Sequence, residues 1–542
     1  MKKNSIKIYL MFSLCALVFA SCTDLEIDET DSFISEGFQG LQDPASSLNS
    51  LYGNFGALGD QANTFALNEV TTDAFLIPTR GADWGDNGRW RKLHTHEWGL
   101  EETDILTPFQ QWTSAQLLAS RILDSRSNAD AGTAAQANFL RAYAMWMTLD
   151  LYGQVPFRDT QLPDSDLPTV LSGADAVNFI VADLDAAIAG LPTVSPGDMD
   201  NLRLASKASA RFLKAKVLLN KHVYETQLSG GGGTAASGDM SEVISLVDAI
   251  AADGFALESM DYFEIFESSA DTETIYWIQT GVGNRIFNGL HYNSTGLGGG
   301  GWNGFSTLAE YYDMFEGDAN ANEYDTDRNP ISGQERRRGG VPKNGIPFSG
   351  AAGTSDNGGF EDGSNVGEGF LIGQQYALDG TALQDRQGAP LEFSREFVDG
   401  NGANSLINNS ERTGIRLMKY SPRFDGGFSN TQIFFRYADA HLMKAEAMLR
   451  SGSDATAMVN ELRTLRGATP LGTVSESDLL EERGRELFAE QVRRTDMIRF
   501  GQYLRDWEFK GTSEVGNQTR ALFPIPLPQL LANPNLVQNP GY

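Results

Sequence analysis

The chain has 542 residues, 41% of them hydrophobic, with a formal net charge of −29 at pH 7 and only two cysteines. So acidic a surface argues against nucleic acid and anionic lipid headgroups as partners, since both require cationic neutralisation, and it mildly disfavours polyanionic ligands, an effect that salt screens. Cys15 and Cys22 both lie at the N-terminus, so the body has no thiol for a disulfide, a nucleophile or a thiolate metal site.

The first element is a targeting segment. Lys2, Lys3 and Lys7 precede an apolar run from Ile8 to Ala20, the layout of a secretory signal. The run is too short to span a bilayer as a helix, which takes about 20 residues. Ala20 and Ser21 then lead into Cys22. This resembles a bacterial lipobox, in which the cysteine is acylated and becomes the first mature residue, although Phe19 stands where Leu is usual. Asp24, Glu26, Asp28 and Glu29 resemble the signal that sends Bacteroidetes-type lipoproteins to the outer surface. Residues 1–21 are therefore expected to be a lipoprotein signal peptide and Cys22 the lipidation site. Their loss removes three lysines and no acid, which takes the net charge to −32.

Amphipathic helices follow. Leu140, Tyr143, Ala144, Met147 and Leu151 recur at helical spacing in Ala134–Leu151. Val177, Ile180, Leu184 and Ile188 do so in Ala174–Ala189, and Ala208, Phe212, Ala215, Leu218 and Leu219 in Leu204–Val223. Phe434, Ala438, Leu442, Ala445 and Leu449 form a later stripe ending near Gly452, a good C-terminal stop. Another stripe, Met458, Val459, Leu462 and Leu465, begins at once. Small residues in the stripes and short turns are the marks of tetratricopeptide-type hairpins. The expected fold is mainly α: a scaffold of helical hairpins over about 40–60, 104–255 and 430–505, within one domain spanning 22–542. Residues 59–104, 225–240, 281–305 and 317–411 are rich in Gly, Asn, Asp and Ser and read as loops, which at such length are usually either functional or disordered.

Chemistry is sparse. There is no H-E-x-x-H, G-x-S-x-G or P-loop. His94, His96 and Glu97 alternate as strand neighbours would, but without a third located ligand they make no metal site. Asp318, Asp325 and Asp327 with Asn320 and Asn322 offer oxygen ligands for Ca²⁺, without the spacing of an EF-hand. No cofactor is otherwise expected. No acid and nucleophile pair can be located at the roughly 5–9 Å separations of a glycosidase, so the chain reads as no enzyme.

The segments LRAYAMWMTLDLYGQVPF (140–157), IFFRYADAHLMKAEAMLR (433–450), VNELRTLRGA (459–468), LLEERGRELFAEQVRRTDMIRFG (479–501) and LFPIPLPQLLANPNLVQNPGY (522–542) resemble the SusD/RagB family of Bacteroidetes surface glycan-binding lipoproteins. Arg494 departs from the family pattern, which has Trp there. The resemblance implies four tetratricopeptide-like hairpins with the ligand site on irregular insertions. It also implies a partner, a TonB-dependent outer-membrane β-barrel of the SusC type on which the protein sits as a lid. The function so implied is non-catalytic capture of a polysaccharide or oligosaccharide at the cell surface. Capture of peptides or another nutrient is the alternative, and a surface glycoside hydrolase the third reading. A neutral glucan such as laminarin suits the acidic body.

Family motif residues Arg141, Tyr143, Asp150, Tyr152, Tyr437, Asp439 and Glu446 are expected to bond helix to helix. Trp112, Trp146 and Trp277 are expected in the core. RGADWGDNGRW (80–90) and HYNSTGLGGGGWNGF (291–305) differ, because little apolar sequence surrounds their aromatics. These segments lie about where the family carries its aromatic arc. Trp84, Tyr292 and Trp302 are the expected stacking platforms, Asp83, Asn87 and Arg89 the hydroxyl partners, and Trp90 a further platform.

Overall fold

Asp130 accepts the N–H groups of Gly132 and Thr133 and starts one helix, while Ser206 and Ser209 form a capping box that starts another. In the computed structural model these are α4 and α6 of a helical scaffold. Its helices are α1 (Pro44–Phe55), α2 (Arg89–Thr95), α3 (Thr103–Leu123), α4 (Ala131–Tyr152), α5 (Gly173–Gly190), α6 (Lys207–Tyr224), α7 (Ser237–Ala252), α8 (Tyr437–Arg450), α9 (Thr456–Leu465), α10 (Glu476–Glu486) and α11 (Arg493–Arg499). From α3 to α8 each helix packs on the next, so the apolar stripes meet in sequence order. No described helix is long and apolar enough to cross a membrane.

The structure describes residues 37–163, 165–266, 270–280, 289–294, 300–327, 329–345, 366–377, 380–420 and 431–542. Cys22 and the acids after it lie outside them. Gly40–Thr160 and Leu167–Tyr542 form one compact unit. Met1–Gln39 with Gln161–Asp166 form the other, of which residues 37–39, 161–163 and 165–166 are described.

Within the large unit, strands β1 (Gln154–Phe157) and β2 (Thr169–Ser172) pair antiparallel, as do β3 (Thr274–Gln279) and β10 (Thr431–Arg436). The second pair joins segments about 150 residues apart in sequence. Phe435 of β10 stacks on Phe212 of α6 with centroids 4.3 Å apart. The loop-rich stretch between contributes β4 (Glu323–Tyr324), β5 (Gly339–Pro342), β6 (Glu368–Leu371), β7 (Gly373–Gln374), β8 (Glu392–Phe393) and β9 (Arg416–Met418). Strands β4, β5, β6 and β9 form one sheet.

Apart from the exposed Glu481, the charges of LLEERGRELFAEQVRRTDMIRF are largely buried as pairs. Glu486 meets Arg337, Arg436 and Arg466 at 3.1, 2.7 and 3.0 Å. Glu482 meets Arg337 at 2.6 Å, and Glu446 meets Arg499 at 2.6 Å. Removing one member of such a pair leaves an unpaired buried charge, which is why the pairs appear as complete sets. The family motif residues act in the same way. Arg141 grips Asp183 through two 2.7 Å bonds, Asp439 pairs with Lys216 and Arg483, and the Tyr152 hydroxyl donates to the Ile105 carbonyl.

Several sequence expectations are corrected. Residues 59–104 are not loop throughout: Phe65, Leu67, Phe75 and Ile77 are buried, and Ala66–Val70 is a π-helical turn. Their anchor is charge, since Arg493 of α11 grips Asp73 at 2.7 and 2.8 Å. Phe434 lies in β10, because the helix begins only at Tyr437, and α7 begins inside the expected 225–240 loop. His94 and His96 lie on and just after α2, not on a strand. Trp112 and Trp146 are buried as expected, while Trp277 is half-buried and donates to the Met199 carbonyl.

Candidate functional site

Three segments are zipped together by backbone bonds. Leu76 and Ser306 exchange N–H···O bonds of 2.8 and 2.9 Å, and Thr307 N–H donates to Ile415. Thr79 N–H donates to Leu406 and Asn409 N–H to Thr79. The stretches around 76–79, 306–307 and 406–415 therefore meet although they are far apart in sequence.

Two buried arginines pin the junction. Arg80 donates from Nε to the Asn303 carbonyl at 2.8 Å and from its Nη atoms to Thr413, Ser306 and the Ser410 carbonyl. Arg416 donates to the carbonyls of Thr413, Gly414 and Glu411, to Ser306 Oγ, and to Asn303 Oδ1 at 2.6 Å. Burial pushes the Arg80 guanidinium down to about 9, offset in part by Tyr292 and Glu411. Burial, then the neighbouring Arg80, holds Arg416 well below the usual arginine value.

On this base sit the aromatics. Trp84, Asp86 and Asn87 all have positive φ, 59°, 33° and 53°, a conformation costly for residues other than glycine. The turn lays Trp84 edge-on to Trp90 and Phe305, with centroids 5.7 and 5.8 Å away, and its Nε1 donates to the Trp302 carbonyl at 2.6 Å. Trp302 itself is 63% exposed. Its loop turns back on itself, with Gly301 and Asn303 N–H groups donating to His291 and Leu290. A Cβ at Gly300 would lie 2.3 Å from the Tyr292 carbonyl oxygen, so the glycine run permits the close turn.

Tyr292 donates its hydroxyl to Asp83 Oδ2. Over its ring, 3.8 Å from the centroid, lies the guanidinium of Arg386. Glu411 takes the Arg386 Nε and backbone N–H groups, the latter at 3.0 Å, and the Nε2 of His291 at 3.1 Å. Asn293 N–H donates to His291 Nδ1 at 3.1 Å, which assigns the ring proton to Nε2. Burial lowers His291 to about 4, so the ring is neutral at neutral pH.

Asp83, Trp84, Tyr292 and Trp302 are thus brought together as the sequence suggests. Trp90 corrects its expectation as a platform: it is 3% exposed, and its Nε1 donates to Asp86 at 2.7 Å. Arg89 is held by Asp104 through its Nε at 2.7 Å and by a second bond from Nη2, so its fork is spoken for. Asn87 is exposed at the turn. Arg386 and Glu411 escape sequence reasoning because LQDRQGAP and NNSERTG are ordinary turn sequences with no aromatic to mark them.

Of the candidate cation ligands, His94, His96, Asp318, Asp325 and Asn322 have other partners. His94 bonds the Phe75 and Glu508 carbonyls at 3.1 and 2.9 Å, and His96 bonds the Thr71 carbonyl at 2.8 Å. Asp318 and Asp325 cap the backbone N–H groups of Asn320 and of Asp327 and Asn329, while Asn322 is buried against Arg338 and Phe370 carbonyls. Among the described residues no three His, Cys, Asp or Glu are grouped to hold a metal ion.

The family model for the SusD family matches residues 266–542. The starch-binding protein SusD of Bacteroides thetaiotaomicron is 26% identical over 531 residues, covering 90% of this chain and 86% of that protein. A solved SusD-like protein from Bacteroides fragilis superposes with a TM-score of 0.65 at 18% identity, covering 94% of this chain and 98% of that one. The surface glycan-binding protein A of Bacteroides thetaiotaomicron, in complex with laminarihexaose, gives 0.60 at 16% identity over 92% and 98%. These likenesses show the fold, and with a family match over half of its length the chain belongs to the SusD family.

Proposed function

We propose that the protein captures a polysaccharide or oligosaccharide at the cell surface without cleaving it, and passes it to a TonB-dependent outer-membrane transporter. The observation that carries this reading is the exposed Trp302 beside Trp84, Tyr292 and Asp83. A sugar has apolar C–H faces that lie on aromatic rings and a hydroxyl rim that needs hydrogen-bonding groups, and this cluster offers both. The relatives support it: one is named for binding starch, and another was solved with laminarihexaose. Acylation at Cys22 would tether the protein, since several acyl chains anchor stably at ~0.8 kcal/mol per buried CH₂.

The test is binding to laminarin and starch within a wider polysaccharide panel. Stacking on an aromatic contributes of order 1–3 kcal/mol in the analogous case of nucleic-acid bases. Trp302→Ala and Trp84→Ala should each weaken the binding found by about 5- to 150-fold, and incubation with the bound glycan should release no reducing sugar. Binding of both variants at wild-type affinity would sink the site assignment.

A further inference from the structure

Resting on the glycan-capture reading, we infer that the site takes a glycan bearing carboxylates, and that Arg386 is the residue that reads them. Three guanidiniums surround Tyr292. Arg386 lies over the ring, and the buried Arg80 and Arg416 share the partners Asn303, Ser306 and Thr413 at the base of the same junction. Most buried arginines elsewhere in the protein are paired: Arg337, Arg436, Arg466, Arg483, Arg493, Arg494 and Arg499 each have a carboxylate within 3.1 Å, and Arg338, held by the Tyr312 hydroxyl and the Asp318 and Ala321 carbonyls, is the exception. Arg80 and Arg416 have none within salt-bridge distance among the described residues, and hold only carbonyl, hydroxyl and amide oxygens. Their charge is left uncancelled by a direct partner, and in a buried setting it is weakly screened.

The carboxylates bonded to Arg386 and Tyr292 are already engaged. Glu411 binds Arg386 and His291, and Asp83 accepts the Tyr292 hydroxyl. With the Arg412–Asp385 pair beside them and Asp86 at the Trp90 indole, the three guanidiniums gather positive charge in a chain of net charge −29. Arg386 is also half exposed and fixed in place by its Nε and backbone bonds to Glu411 and by the ring beneath it. Its two Nη atoms have no hydrogen-bond acceptor among the described residues; Asp83 Oδ2 is 3.7 Å away. A held guanidinium fork with free donors matches the two oxygens of a carboxylate. Neutral sugars need the aromatic face but make no use of the uncancelled charge.

The experiment uses the full chain and six soluble probes: alginate, polygalacturonate and glucuronoxylan, the carboxyl-reduced form of whichever binds best, and laminarin and starch. The expected result is that one uronate polymer binds tightest and that carboxyl reduction weakens it at least ten-fold. Its affinity should fall as NaCl rises from 50 to 500 mM. Arg386→Ala and Arg386→Lys should both lose at least ten-fold for that polymer, since Lys keeps the charge but not the fork. Far-UV dichroism and thermal midpoint, read alongside, should match the wild type in at least the Lys variant. Tightest binding to laminarin or starch that Trp302→Ala abolishes would overturn this inference while leaving glycan capture standing. Equal binding of the carboxyl-reduced polymer, or wild-type binding by Arg386→Ala, would overturn it as well. No binding to any of the six overturns both it and the reading beneath it.

Discussion

Gly304 lies so close to Trp84 that a Cβ there would sit 2.3 Å from the indole ring. The contact sets where the indole can lie, because the opposite constraint comes from the Nε1 bond to the Trp302 carbonyl. Gly304→Ala must push the ring away and break that bond. Overpacking of this kind costs about 1–3 kcal/mol. The expected outcome is a lowered urea midpoint with a shifted tryptophan emission, and weaker binding of whichever glycan the wild type binds. Unchanged emission and midpoint would mean that the loop gives way without moving Trp84. The glycine-rich loops hid this relation from the sequence. WGDNGRW and GGGGWNGF announce exposed aromatics by the lack of apolar neighbours, but nothing in them says that Trp84 is packed on Gly304 or that Trp90 is buried. That depends on Phe305, which fills the space between Trp84 and Trp90 at 5.8 and 5.7 Å.

Between elements, Asp150 near the end of α4 is a junction. It accepts from Arg494 at 2.9 Å, from Thr495 at 3.1 Å and from the Tyr224 hydroxyl at 3.0 Å, joining α4, α11 and α6. Arg494 also packs over the Phe523 ring at 4.9 Å, so the position where the family pattern has Trp keeps a flat, bulky group in a buried slot. Asp150→Ala strands the guanidinium and should cost about 3–5 kcal/mol. The double variant Asp150→Ala with Arg494→Met should recover more than 1 kcal/mol of that, as coupled neighbours do. Urea unfolding of the three variants measures it, and simple additivity would show that the pair is not coupled. The helices were legible because their stripes are long: α4, α5 and α6 end within about three residues of where periodicity alone ends them. The strands β4 to β9 were not, since two to four residues leave no period to read. The role of Arg386 was illegible for a different reason: its partners Tyr292 and Glu411 come from other loops, and only tertiary pairing brings them together.

At the scale of the whole molecule, the buried histidines and paired glutamates make stability fall as pH falls. All five histidines, His94, His96, His222, His291 and His441, are held below the usual value, chiefly by burial; His222 and His291 fall to about 4. Between about 6.5 and 4 the unfolded chain therefore binds protons that the native protein refuses, and stability falls as pH falls. The carboxylates continue the trend. Burial alone would raise Glu446 and Glu482, but Arg499 holds the first and Arg337 with Arg485 the second down at about 2. Their stabilising pairs are complete above the unfolded value of about 4.3 and are lost as pH falls towards 2. Asp183 and Asp271, raised by burial, oppose this above the ordinary aspartate value. Lys419 and Lys510, lowered to about 7 by burial, extend the rise to the alkaline side, because the unfolded chain holds their protons longer. The urea midpoint should thus decline steadily from pH 7.5 to 4.5. Each proton of difference is worth about 1.4 kcal/mol per pH unit, so the decline should steepen below 6.5 as the histidines engage. A midpoint that is flat or rises over that interval would mean that the histidine cavities admit water or open before the rest of the fold.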